Sequence, residues 1–195
     1  MRILTTGEKG FLLGSVINDL DGDIVPYRGH HGFYGYFGID MVIHFASPND
    51  RYEFQDKQNM AHTMLDYSID VLRVALDNNA KFVFASSKAA GICADDYGVY
   101  KKAFEQYIQA KTDNHLIYRI PSVYGSSRKK GLMKQLRLND LDDPSDYQQE
   151  VRYLDIEDFR KWFTENLNNT GIIEYTGEYR INTIEEVENL YIKGV

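Results

Sequence analysis

Residues 5–15 read TTGEKGFLLGS, and the reading of this stretch decides the fold. Just before its glycines, RILTT (2–6) is a short apolar run that stops at Gly7 and reads as a buried strand. FLLGSVINDL (11–20) follows with helical spacing. Gly7, Gly10 and Gly14 thus fall in and around a turn from a first strand into a first helix. Glycines there let the backbone approach a pyrophosphate, and a helix N-terminus offers N–H donors and the positive end of a dipole. Any tight strand-to-helix turn favours glycine, so a plain turn is the competing reading. Its position as the first such turn of the chain favours a dinucleotide site.

The same alternation continues outward. DIVPYR (23–28) reads as a second strand, with Pro26 pointing to a sheet edge or a strand end. MVIHFAS (41–47), KFVFASS (81–87) and HLIYRI (115–120) are further apolar strands. Residues 55–79 form a long helical stretch with Met60, Met64, Leu65, Ile69, Leu72 and Leu76 near one face, and 97–111 is helical. Strands alternating with helices over short connections predict a doubly wound α/β domain, a parallel sheet with helices on both faces. Residues 125–150 break the rhythm. They are polar, charged and weakly periodic, and read as a partly ordered insertion over the top of the sheet. VRYLD (151–155) is strand-like, and DIEDFRKWFTENL (155–167) is helical with Asp155 as N-cap. GIIEYTG (171–177) is a strand, and Thr183 with Glu186 makes a capping box that opens a last helix. The expected organisation is one domain over 1–195, with a dinucleotide-binding core over 1–124 and a short substrate-side part over 125–195.

Composition narrows the class. A chain of 195 residues buries a core without staples, and 43% hydrophobic with 26% charged residues is ordinary for a soluble globular protein. The net charge of −7 gives no support to a nucleic-acid or anionic-membrane partner, though it allows local basic pockets for a phosphate. A single cysteine, Cys93, excludes an internal disulfide and a cysteine metal cluster and fits the reducing cytoplasm. No apolar run approaches the roughly 20 residues of a membrane span, and MRILTTGEKG is too quickly glycine-rich for a signal peptide. No internal repeat, low-complexity tract or linker is evident.

Ligands of open parallel sheets bind at the carboxyl ends of the strands. KFVFASS ends there with Ser86 and Ser87; Tyr97 opens the next helix, and Lys101 lies one turn on, on the same face. With 15 tyrosines, about one Tyr-x-x-x-Lys is expected by chance, and Tyr107 with Lys111 is a second. That second pair is deep in the helix and about 280° around from Tyr97, away from its mouth. Hydride transfer at a C–OH carbon needs an acid/base on the oxygen. A tyrosine has a reference pKa of about 10, which a neighbouring ammonium lowers. A serine hydroxyl shares the substrate oxygen's hydrogen bond, and lysine can also hold a cofactor ribose.

At this point the chain resembles the extended short-chain dehydrogenase/reductases, the NAD-dependent epimerase/dehydratase group that acts mostly on nucleotide sugars. Five segments match in order. TTGEKGF resembles the family's TGxxGF turn, and VIHFAS its V-I-H-L-A-A strand. NMAHTMLDYSIDVLRVALDNNAKFVFASS resembles the helix leading to the serine strand. YGVYKKAFEQ resembles Y-G-x-S-K-x-x-x-E, and YRIPSVYG resembles L-R-x-x-N-V-Y-G. VRYLDIEDF is a thinner echo of a later segment. The resemblance implies catalytic roles for Ser87, Tyr97 and Lys101, with Lys101 also on the ribose. It implies that Gly7, Gly10, Phe11 and Leu12 line the pyrophosphate, that Phe45 and Ala46 flank the adenosine side, and that Pro121 to Val123 lie near the nicotinamide. It gives Asn59 a role in tying central strands together.

The departures are specific. The third glycine falls at Gly14, one residue late, with Leu13 where glycine is usual, and Tyr100 replaces a small serine. Residues 28–40 are too few for the usual third strand and helix, and the chain is some hundred residues shorter than the family leads one to expect, so the substrate lobe is reduced. The second strand ends PYRGH, with Arg28 and no acid, and Lys9 sits in the glycine turn as in the family's NADP-using sugar reductases. Two cations at one ribose suit a 2′-phosphate, which favours NADP, with NAD as the alternative. Ser87 is followed by Lys88 and Ala89 rather than the Asp-Glu pair of the 4,6-dehydratases, so reduction or epimerisation is expected over dehydration. His44 reads as a satisfied core histidine. His30 and His31 have no partners at metal spacing, so no metal is expected. RKK (128–130) reads as a solvated face, with a phosphate clamp as the alternative. The expected function is an NADP-dependent oxidoreductase or epimerase acting on a nucleotide sugar or similar carbonyl/alcohol. The alternative is a non-catalytic dinucleotide-binding sensor or scaffold. A homodimer is expected through the 55–79 and 97–111 helices, with Met60, Met64 and Phe104 at its surface.

Overall fold

The computed structural model describes residues 1–29, 35–46, 65–129, 131–138, 141 and 144–194. Six strands form the main sheet: β1 (Arg2–Thr6), β2 (Asp23–Pro26), β3 (Met41–His44), β4 (Lys81–Ser87), β5 (His115–Ile120) and β8 (Gly171–Glu174). Their order is β2-β1-β3-β4-β5-β8, and every neighbouring pair is parallel. β3 is buried at all four positions, which explains its unbroken apolar sequence: a central parallel strand is covered on both faces. Pro26 is the last residue of the edge strand β2, where its missing N–H costs no ladder bond on the open side.

Side chains alternate between two cores. Ile3, Ile43, Val83 and Tyr118 point to one face, against Leu13 and Val16 of α1 (Phe11–Val16) and Phe159 and Phe163 of α6 (Ile156–Asn166). Leu4, Val42, Phe82, Phe84 and Ile117 point to the other, against Val71 and Leu72 of α2 (Tyr67–Asp77) and Phe104 and Ile108 of α4 (Asp96–Lys111). The first helix is shorter than its periodicity predicts: it passes into a 3₁₀ turn at Ile17–Asp19 before Leu20 turns extended. The long 55–79 stretch is helical over Tyr67–Asp77; Asn59, Met60 and Met64 lie outside the described residues, as do His30 and His31. No strand lies between β2 and β3 among the described residues. Among those residues no helix is long and apolar enough to cross a membrane.

The insertion at 125–150 is more structured than its polar sequence suggests. It contains α5 (Leu132–Leu138) and a 3₁₀ turn at Pro144–Gln148. A second, three-stranded sheet flanks it. β6 (Val123–Tyr124) runs parallel to β7 (Glu150–Asp155), which pairs antiparallel with β9 (Arg180–Thr183). Met133 and Leu136, three residues apart on α5, are buried against Tyr153 of β7 and Ile184 and Val187 of α7 (Ile184–Glu188). Asp155 caps α6 by accepting from Glu157 N at 2.9 Å, and the Thr183–Glu186 capping box is present in both directions. Between these elements the chain returns to the main sheet, where β8 pairs with β5, so that sheet is completed by residues beyond 124.

Candidate active site

The two serines at the end of β4 face different tasks. Ser86 is buried and its hydroxyl donates to Glu105 Oε1 at 2.6 Å. Ser87 is half-buried; its Oγ accepts from Ala89 N at 3.2 Å and shares a hydrogen bond with the Tyr97 phenol. Helix α4 starts where it does because Asp95 caps it, its Oδ1 accepting from Gly98 N at 2.8 Å. Gly98 is what lets this start come close. A Cβ there would stand 2.4 Å from the carbonyl oxygen of Ala89, in α3 (Ala89–Ile92), the short turn that follows Ser87. The glycine of YGVYK therefore sets the approach that brings Tyr97 to Ser87.

Lys101, one turn further, is 2% exposed. Its Nζ donates to Ala85 O at 2.8 Å and lies 4.7 Å from the Phe84 ring centroid and 5.7 Å from that of Tyr97. Ser87, Tyr97 and Lys101 are thus brought together. Tyr107 and Lys111 are not part of this group: Lys111 Nζ lies 5.4 Å from the Tyr107 ring, which stacks on Phe104 at 6.3 Å.

Burial pushes the Tyr97 phenol up to about 12; the Ser87 hydrogen bond and the Arg128 charge pull it down, and Asp95 pushes it up. Burial also drives Lys101 down to about 7, with Glu105 opposing. Burial is the largest influence on the Tyr97 phenol, and it favours the protonated form. The lysine has a consequence for stability. The unfolded chain holds the Lys101 proton up to its ordinary pKa, whereas the folded chain releases it near 7. Folding is thus penalised in full below pH 7, and the penalty fades as pH rises from there toward about 10. Lys101→Met should therefore be more stable relative to wild type at pH 6 than at pH 9. Urea unfolding at both values checks this, and a constant difference would contradict it.

The glycine turn nests on the end of β3. Gly7 has φ +85, and a Cβ there would stand 2.8 Å from Ala46 N and 3.0 Å from the Phe45 carbonyl carbon. Gly10 N donates to Gly7 O at 2.8 Å, and Ala46 N to Thr6 Oγ1 at 3.1 Å. Gly7, Gly10, Phe45 and Ala46 are thus drawn together at the carboxyl ends of β1 and β3. Phe11 and Leu12 are half-buried and pack on the first core; Pro121 is half-buried and Val123 buried just beyond β5. Lys9 is exposed. Arg28 is exposed as well, and Glu8 of the turn pairs with it, Oε1 lying 3.1 Å from Arg28 Nη1.

Two other residues are clarified. His44 is fully buried, with Nδ1 2.7 Å from Thr6 Oγ1 and Nε2 2.8 Å from Ser68 Oγ; burial drives it down to about 3, so it is a neutral core histidine. Arg128, read from sequence as part of a solvated face, is turned inward. Its guanidinium bonds Val123 O and lies 5.7 Å from the Phe11 ring and 5.6 Å from Tyr124, and burial lowers its pKa. Lys129 is exposed and Lys130 lies outside the described residues. The signal for Arg128 was its place three residues after VYG, next to a strand end at the mouth of the sheet.

No family model matches the sequence, and no curated protein matches it. Solved structures do. A dTDP-4-dehydrorhamnose reductase from Bacillus anthracis in complex with NADP superposes with a TM-score of 0.74 at 14% identity, over 97% of this chain and 80% of that one. A Thermus thermophilus UDP-glucose 4-epimerase in complex with NAD gives 0.70 at 19% identity, over 96% and 81%. The Bordetella bronchiseptica enzyme WbmG with NAD gives 0.71 at 19%, over 99% and 77%. The fold of this chain, a six-stranded parallel Rossmann-like sheet with a small second sheet beyond it, is therefore the fold that these reductase and epimerase structures share.

Proposed function

We propose that the chain is an NADP-dependent reductase of the extended short-chain dehydrogenase/reductase type, acting on a carbonyl of a nucleotide-linked sugar. The observation that carries this reading is the convergence of Ser87, Tyr97 and buried Lys101 at the mouth of β4. The residues fit a dinucleotide: the Gly7–Gly10 turn is drawn against the end of β3, and a buried lysine whose one described hydrogen-bond partner is a carbonyl stands beside the phenol. When bound, the nicotinamide supplies the hydride. Tyr97, held protonated by burial, gives its proton to the carbonyl oxygen, while Ser87 holds that oxygen in line. A protonated phenol is the form that reduction of a carbonyl needs. Lys101, beside the phenol, would hold the cofactor ribose.

Support for the nucleotide classes also comes from the neighbours, which carry NADP or NAD. Arg28 and Lys9 favour NADP, with Glu8 holding Arg28 in place. Fluorescence titration should show NADPH binding tighter than NADH, and Arg28→Ala should abolish the difference. Equal affinities in the wild type would remove the NADP assignment, and NADPH binding without turnover on a panel of 4-keto nucleotide sugars would leave a binding protein. The exposed thiol of Cys93 suits the reducing cytoplasm.

A homodimer through α2 and α4 belongs to the same proposal. Phe104 does not contribute, being 2% exposed and packed 4.9 Å from Phe84. Leu76 and Val99 are exposed on those helices. Light scattering should give twice the chain mass, and a monomer at high concentration would end this part of the reading.

A further inference from the structure

Lys88, just past the end of β4, and Arg152, on β7 of the smaller sheet, meet on one ring. Lys88 directly follows Ser87, and its Nζ lies 4.6 Å from the centroid of Tyr179. Arg152 is on β7, and its guanidinium carbon lies 4.2 Å from the same centroid. Tyr179 is fixed in place: its hydroxyl donates to Tyr175 O at 3.2 Å, and the Tyr175 ring packs edge-on against it at 5.3 Å.

The two cations are therefore within about 9 Å of each other, inside a Debye length at 0.1 M salt, and repel. Each contact with the ring is favourable, but an aromatic ring offers a quadrupole and no net charge, so it cannot neutralise two cations. Among the described residues neither Lys88 nor Arg152 forms an ion pair; Glu174 is engaged with Arg119, and Asp155 and Asp158 with Arg180, while Glu178, the chain neighbour of Tyr179, is exposed and pairs with neither cation. In a chain of net charge −7 the missing counter-charge is a feature of this spot and not of the composition.

We infer that Lys88 and Arg152, converging on Tyr179, receive an oxyanion of the substrate, a phosphate or a carboxylate carried close to the reacting carbon. The closeness rests on the reductase reading, because Lys88 is the chain neighbour of the serine that holds the reacting oxygen. The cation pair itself does not rest on it. Arginine offers a fork of donors and lysine a mobile point charge, a combination that grips an oxyanion from two sides. Since Lys88 follows β4 and Arg152 lies on β7, the anion would bridge the end of the main sheet to the smaller one.

The test uses inorganic pyrophosphate and malonate as probes, titrated calorimetrically into protein saturated with NADPH so that the glycine turn is filled. Saturable binding of at least one probe is expected, weakened about tenfold in Lys88→Met and in Arg152→Met, and lost in the double variant. Stronger binding of pyrophosphate assigns a phosphate; stronger binding of malonate assigns a carboxylate. Melting temperatures of the variants should not fall, because removing either charge relieves repulsion. Failure of wild type to bind either probe, or equal affinity in wild type and double variant, overturns the inference. So does a drop in melting temperature with probe affinity unchanged, which would mark a packing role. If NADPH itself does not bind, the reductase reading fails, and the same titrations without it still decide the anion site through their dependence on Lys88 and Arg152.

Discussion

Tyr97→Phe should lower kcat by roughly 10²–10⁴ on a carbonyl substrate while NADPH affinity stays nearly unchanged. The phenol matters only where a proton moves. Its ring contributes packing that phenylalanine keeps, and its hydroxyl is shared with Ser87 rather than with the glycine turn. Tyr107→Phe should alter neither quantity, since Tyr107 stacks on Phe104 away from the serine. Lys101→Ala should harm both, because it removes a charge near the phenol and a donor beside it. Steady-state rates set against fluorescence titrations separate the three. Wild-type turnover in Tyr97→Phe would mean that YGVYK is only a helix start.

Glu105→Ala should cost about 3–5 kcal/mol of stability, the scale for stranding one member of a buried ion pair. Glu105 is fully buried in the middle of α4. It accepts from Arg119 Nε and Nη2 at 3.1 and 2.8 Å and from Ser86 Oγ at 2.6 Å. Arg119, on β5, is largely buried, and its other carboxylate, Glu174, is partly exposed. Removing Glu105 leaves a guanidinium and a serine hydroxyl without their main partner. Replacing the pair together, with Glu105→Leu and Arg119→Met, should recover much of the loss, because neither charge is then left uncompensated. Guanidinium chloride unfolding measures both. A cost for Glu105→Ala no larger than the roughly 1 kcal/mol of a surface pair would show that the network is solvated after all.

The main sheet was legible because its signal is local. β3 and β4 are buried on both sides and so spell unbroken apolar runs, and Pro26 marked the edge strand before any pairing was known. The Asp155 cap and the Thr183–Glu186 box were readable because a cap is a contact between near neighbours. The smaller sheet was not legible. β6 has two residues, and α5 is seven residues long and buries only Met133 and Leu136, too few to set a period. The spacing of Tyr97 and Lys101 could be read, but their proton affinities could not, since these depend on burial by Phe84 and its neighbours far along the chain. Glu8 and Arg28 are twenty positions apart and meet because β1 and β2 run side by side, a contact that no local spacing encodes.

The position of β8 in the sheet has a consequence for how the chain is made. β5 is finished at residue 120, but the strand that covers its outer edge, β8, is not complete until residue 174. Phe159 and Phe163, which cover Tyr118, also arrive in that interval. At a synthesis rate of roughly 5–20 residues per second, a nascent chain carries an open apolar strand edge for several seconds. Such an edge is a template for pairing with another chain. The ribosome-bound intermediate, more than the finished molecule, is thus the state in which this protein is most exposed to misassembly, and the one a chaperone would meet.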